Sequence, residues 1–179
     1  NREIDEPEWI FGLSLRNGAN VSELASVGMH PNASELKDKY DKALLPRFIN
    51  YLEMYTEHSD YFYPWFSNDI VPTTDEKSWL FELESNYIQG QTAIQWETEG
   101  LKGKQQQLWL IDEETGLIIN MSEMDNYSFH LNEKHTFSVH FISDPLKKPI
   151  PYRLNLGDPY PNPTSDMTTI EVFLPQGKD

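Results

Sequence analysis

Hydrophobic residues recur at every second position in several short stretches of this chain, the spacing of strands that bury one face. Trp9, Phe11, Leu13 and Leu15 alternate with Ile10, Gly12 and Ser14. Arg16-Asn17-Gly18-Ala19-Asn20 then reads as a turn, because Asn-Gly accommodates a positive φ cheaply. Trp79, Phe81 and Leu83 alternate with Leu80, Glu82 and Glu84, and Ala93, Ile94 and Trp96 form a short strand after a turn at Gly90. Leu108-Trp109-Leu110-Ile111 and Leu117-Ile118-Ile119-Asn120-Met121 flank Asp112-Glu113-Glu114-Thr115-Gly116, a hairpin whose five-residue tip reads as solvated. Tyr127, Phe129 and Leu131 precede a loop at Asn132-Glu133-Lys134, and Phe137, Val139 and Phe141 alternate again. Five or six short strands between positions 78 and 142, separated by polar turns, predict an all-β fold. The expected architecture is an antiparallel β-sandwich, immunoglobulin/fibronectin-like or jelly-roll-like.

Between positions 34 and 70 the period is ambiguous. Phe48, Ile49, Leu52 and Tyr55 fit a helical stripe, whereas Tyr51, Glu53 and Tyr55 fit a strand. Aromatics are dense here, and the reading is a long crossing segment with at most one short helix, packed over the sandwich. Pro145, Pro149, Pro151, Pro159, Pro161 and Pro163 then mark an extended linker, since proline fixes φ and lacks a backbone donor. A strand pattern resumes over 168–174. The expected organisation is a sandwich over 1–143, a proline-rich linker over 144–163 and a first strand of something further over 164–179.

Charge narrows the partners. With 29 acidic against 14 basic side chains the net charge is −15. That field disfavours binding to nucleic acid or to an anionic membrane, and it attracts cations. There is no cysteine, which removes disulfides, thiolate catalysis and cysteine-ligated zinc. No apolar run approaches the roughly 20 residues of a membrane-spanning helix, so membrane insertion by a helix is not expected.

Candidate chemistry is sparse. Asp38 and Asp41 are spaced to supply oxygens to calcium, although aspartates in a turn more often accept backbone amides. Tyr61, Tyr63, Trp65 and Trp109 offer rings for stacking on a glycan, with filling of the core as the alternative. His30, His58, His130, His135 and His140 occur outside any His-Glu-x-x-His motif, and no Gly-x-Ser-x-Gly is present, so no catalytic set is expected. Asn-x-Ser sequons at Asn20, Asn32, Asn120 and Asn126 read as chance occurrences.

The most specific pattern lies near the end. Tyr160-Pro161-Asn162-Pro163, the polar turn Thr164-Ser165-Asp166 and the run Thr168-Thr169-Ile170-Glu171-Val172-Phe173-Leu174-Pro175 resemble the opening of the C-terminal sorting domain on type IX secretion cargo of Bacteroidetes. A second resemblance, to segments common upstream of such domains, is carried by Val27-Gly28-Met29-His30-Pro31-Asn32-Ala33, Asp38 and Asp41, Trp79-Leu80-Phe81 and Leu110-Ile111-Asp112-Glu113-Glu114-Thr115-Gly116. The resemblance implies a portion of a longer cargo protein, placed outside the cell or on its outer surface. Its implied partners are the secretion machinery: a translocon, a shuttle protein and a sortase-like peptidase. The implied role is a non-catalytic stem or spacer. The alternative is a carbohydrate-binding module accessory to an upstream hydrolase.

Overall fold

The computed structural model describes residues 7–47, 49–87, 89–98 and 107–151, with the backbone alone at 23–24, 155–156 and 172–173. Among them there is no helix. Strands β1 (Trp9–Asn17) and β2 (Asn20–Met29) form a hairpin. Its turn has a positive φ (59°) at Gly18, the first of the two central positions, as a tight hairpin turn of the II′ kind requires. There follow β3 (Lys42–Ala43), β4 (Leu52–Glu57), β5 (Trp65–Val71), β6 (Glu76–Ser85), β7 (Gly90–Gln95), β8 (Gln107–Asp112), β9 (Leu117–Asn120), β10 (Asn126–Leu131) and β11 (Lys134–Ile142). The short β12 (Asn155–Leu156) and β13 (Val172–Phe173) pair antiparallel with each other.

Ten of the eleven main strands lie on one hydrogen-bonded path, β10-β7-β1-β2-β5-β4-β6-β11-β8-β9, and β3 is attached to β5. The sheet is mixed, because β2 and β5 run parallel while the other pairs are antiparallel. It curls on itself as a half-barrel rather than forming two clearly separate layers, which corrects the expectation of a purely antiparallel sandwich. The strand that makes the curl possible is β4. Leu52 through Tyr55 pair with β6, and Thr56 and Glu57 pair with β5, so one strand hands the ladder from one arc to the other.

Both arcs bury their alternating residues in one core. Phe11, Leu13 and Leu15 of β1, with Ala25, Val27 and Met29 of β2, face Trp79, Phe81 and Leu83 of β6 and Phe137, Val139 and Phe141 of β11. Ring contacts cross the gap. Trp9 stacks on Phe141 at 5.2 Å and meets Trp79 edge-on at 6.0 Å, while Phe129 of β10 meets Phe137 at 4.9 Å. Trp96 fastens the open side. Its backbone N–H donates to the Asp125 carbonyl and its indole N–H to the Met121 carbonyl, both at 2.9 Å, tying the end of β7 to the turn between β9 and β10.

Three parts of the sequence reading change. Residues 20–29, which carry no clear period, are a full strand, and β1 and β2 shift register between Leu13 and Leu15. The crossing over 34–70 holds β3, β4 and β5, and no helix among its described residues. The proline-rich segment docks at its start: Pro149 and Pro151 are buried, Lys147 pairs with Glu76, and the Ser143 N–H donates to the Asp75 carbonyl at 2.9 Å. Tyr160, Pro161, Asn162 and Pro163 lie outside the described residues.

Gly28 sits where β2 is clasped between β1 and β5. A Cβ there would come within 2.4 Å of the Trp9 carbonyl oxygen and 2.8 Å of Ile70 Cδ1. Gly28→Ala is therefore expected to destabilise the fold by about 1–3 kcal/mol, the scale of overpacking. The check is a lower urea midpoint at unchanged slope.

Candidate functional site

The handover in β4 leaves a gap. Beyond Tyr55 the strand departs from β6, so on that side β6 has a ladder partner only at Glu82 through Ser85. Between the C-terminal half of β5 and the N-terminal half of β6 a half-open cleft of about 420 Å³ forms. Thr56 and His58 reach it from the end of β4, Asp69 and Val71 from β5, and Trp79 and Leu80 from β6. The loop before β3 covers one side through Glu35, which pairs with Lys77.

Its polar lining is unusual. Buried polar side chains nearly always find hydrogen-bond partners. Among the described residues five buried side-chain atoms have none, and four of them belong to residues that line this cleft: Thr56 Oγ1, His58 Nε2, Asp69 Oδ1 and Trp79 Nε1. All four residues are at least nine-tenths buried. His58 Nε2 lies 3.3 Å from Asp69 Oδ2, within ion-pair reach when the imidazole is protonated. Asp69 first, with Asp41 and Asp60 further round, raises the His58 pKa above its ordinary value against the effect of burial.

A second polar system lies on the outer face of β6 and β11. Ser78 Oγ is 2.9 Å from His140 Nδ1, His140 Nε2 is 2.8 Å from Ser138 Oγ, and Ser138 donates to Glu113. Because the Ser138 proton goes to the carboxylate, its oxygen accepts from Nε2–H, leaving Nδ1 to accept from Ser78. Burial pushes the His140 pKa down to about 4. Ser78 is half-buried at the mouth of a cavity of about 640 Å³ between β6, the end of β11 and the docked proline segment.

The hairpin tip read as solvated folds inward instead. Asp112 is fully buried and Glu113 nearly so. Asp112 accepts from Tyr127 Oη at 2.8 Å, His135 Nε2 at 2.9 Å and the amides of Glu114 and Thr115 at 2.9 and 3.2 Å. Burial raises its pKa, but the His135 and Tyr127 bonds outweigh that and hold it below its ordinary value. Tyr127, buried and facing this carboxylate, is pushed up to about 12.

The residues singled out from sequence are placed as follows. Asp38 Oδ2 and Oδ1 accept the amides of Ser34 and Tyr40, both at 2.7 Å. Asp41 Oδ2 and Oδ1 accept the amides of Asp38 at 2.8 Å and Ile70 at 2.9 Å. Among the described residues no group of three or more His, Cys, Asp or Glu is arranged to hold a metal ion. Tyr61, Tyr63 and Trp65 gather at the β4–β5 turn, with the Arg47 guanidinium over Trp65 at 4.8 Å and the Lys37 ammonium over Tyr61 at 5.2 Å. Trp109 belongs to β8, four strand spacings along the path from β5, roughly 19 Å. The four rings are not one platform. His30, His135 and His140 are buried and His130 is exposed. Sequence reading passed over Thr56, Asp69, Ser78 and Ser138. The available signal was Asn68 and Asp69 set inside an apolar strand.

Compared with protein-family models, curated proteins and solved structures, the chain finds no significant match in any of the three.

The buried His140 makes stability pH-dependent. Its folded pKa lies below the ordinary 6.5, so between pH 6.5 and about 4 the unfolded chain binds the proton first. Stability is expected to fall across that window on acidification, by up to about 3 kcal/mol from this group. Denaturant titrations at pH 7, 5.5 and 4 check it: His140→Gln is expected to flatten the slope.

Proposed function

We propose that this chain is a non-catalytic accessory module of an exported bacterial protein, standing just upstream of a type IX sorting signal. The observation that carries the reading is the run Tyr160-Pro161-Asn162-Pro163 at the end of a proline-rich segment, followed by the β-branched stretch from Thr168. Two features support it. Among the described residues the core cluster draws on strands from Phe11 to Phe141, all of which precede that segment. The net charge of −15 suits a solvated spacer. In this reading the two arcs act as the facing layers of a sandwich-like stem. The parent protein engages a translocon, a shuttle protein and a sortase-like peptidase, and the module is delivered outside the cell or to its outer surface. The test fuses the parent protein's own C-terminal region, from position 144 onward, to a fluorescent reporter in a type IX-competent host. Export is expected, and Asn162→Ala with Pro163→Ala is expected to reduce it. Retention of the reporter while a known cargo is exported in parallel would overturn the reading.

A serine hydrolase is the rival reading, and the Ser78–His140 contact is the observation in its favour. One physical point weighs against it. An imidazole with a pKa of about 4 is a weak base at neutral pH, where general bases work best with a pKa near the working pH. A fluorophosphonate probe is expected to leave Ser78 unlabelled. Labelling that Ser78→Ala abolishes would establish the hydrolase instead.

A further inference from the structure

We propose that the β5–β6 cleft binds a neutral polyhydroxyl ligand, a sugar residue, through Thr56, His58, Asp69 and Trp79. The inference is independent of where the protein is delivered and of the export signal. It starts from the four unpartnered polar atoms that converge on one half-open cleft. A buried polar group without a partner costs about 1–3 kcal/mol, so Thr56 Oγ1, Asp69 Oδ1 and Trp79 Nε1 together are a standing cost that a bound ligand removes.

The chemistry of the four atoms selects the ligand. Trp79 Nε1 is a donor only, Asp69 Oδ1 is an acceptor only, and the Thr56 hydroxyl is both. His58, its pKa raised by Asp69, adds a second N–H donor. A ligand that satisfies all of them must accept from the indole and donate to the carboxylate within one small volume. A hydroxyl group does both, and adjacent hydroxyls on a ring do so at neighbouring positions. Val71 and Leu80 supply apolar wall for the carbon skeleton of such a ring. The volume of about 420 Å³ lies within the range of roughly 300–1,000 Å³ typical of small-molecule sites.

Charged ligands fit less well. Glu35, Glu57, Asp60, Asp69 and Glu82 surround the cleft and repel an anion, and the ammonium of Lys77 is already held by Glu35. A cation would face the Trp79 indole N–H and the His58 imidazole among the lining groups. For a metal ion, no cluster of three ligating groups is arranged among the described residues.

The experiment follows the five tryptophan indole N–H resonances of the ¹⁵N-labelled full chain, with the Trp79 signal assigned by its loss in Trp79→Phe. The probes are glucose, galactose, mannose, xylose and N-acetylglucosamine, with glucosamine as the cationic and glucuronate as the anionic comparison. At least one neutral sugar is expected to move the Trp79 resonance saturably and leave that of Trp109 in place. Thr56→Val, which keeps the side-chain shape, and Asp69→Asn are each expected to weaken that binding about tenfold or more, the scale of one lost hydrogen bond. Circular dichroism confirms that both variants fold, and either one alone suffices for the comparison. The proposal is overturned if no neutral sugar moves Trp79, if the charged sugars bind better, if Trp109 responds instead, or if folded variants bind as well as wild type.

Discussion

A β-strand has two edges, and β4 uses its two on different arcs at different points along its length. Its first four residues complete the ladder of β6 and its last two that of β5. This division is the constraint from which much else follows. It turns what would be a flat run of ten strands into a curl, because a strand that changes partner must bend the sheet with it. It brings β1 and β2 over β6 and β11, where Trp9, Trp79 and Phe141 meet across the core. It also leaves the far half of β6 without a neighbour on the β5 side, which is where the cleft opens.

Such a bend needs anchoring, and the Arg47 cluster supplies it. The guanidinium bonds Glu53 on β4 at 2.9 Å and Glu84 on β6 at 2.6 Å, and stacks over Tyr51 and Trp65 at 4.3 and 4.8 Å. Tyr51 and Tyr55 both donate to Glu84, at 3.2 Å. Burial raises the Glu84 pKa, but Arg47 overrides it and holds the carboxyl below its ordinary value. The tyrosine beside it, Tyr55, is pushed up to about 12 by burial and by that carboxylate. A charged network on the handover strand therefore fixes the geometry that hydrophobic packing leaves open.

Half-buried strands were legible in the sequence because they alternate. The pattern at Trp9, Phe11, Leu13 and Leu15 appears unchanged in β1, and that of Trp79, Phe81 and Leu83 in β6. The strands that went unread break the period for physical reasons. In β2 the register shift resets the alternation, leaving Val21 exposed while Ala25, Val27 and Met29 point inward. In β4 the change of partner buries Met54, Tyr55 and Thr56 in succession, and in β5 residues Asn68 through Val71 are all buried. The cleft was illegible for the same reason. Thr56 and Asp69 look like outward residues of ordinary strands until the strand is known to lie at a corner.

The parallel pairing of β2 with β5 and the docking of β7 on β1 also govern how the chain reaches this state. β1 and β2 are adjacent in sequence and close through a two-residue turn, a local event. Their two outer edges, however, wait for distant chain: Arg16 of β1 meets Gln95 of β7 across 79 residues, and β2 meets β5 across some 40. Long-range strand pairing is slow because the loop must close before any contact rewards it. During that interval the first hairpin presents two unpaired edges, the form of strand most prone to pairing with another copy. A hairpin that closes locally is thus also one whose two edges stay open until β5 and β7 pair with them.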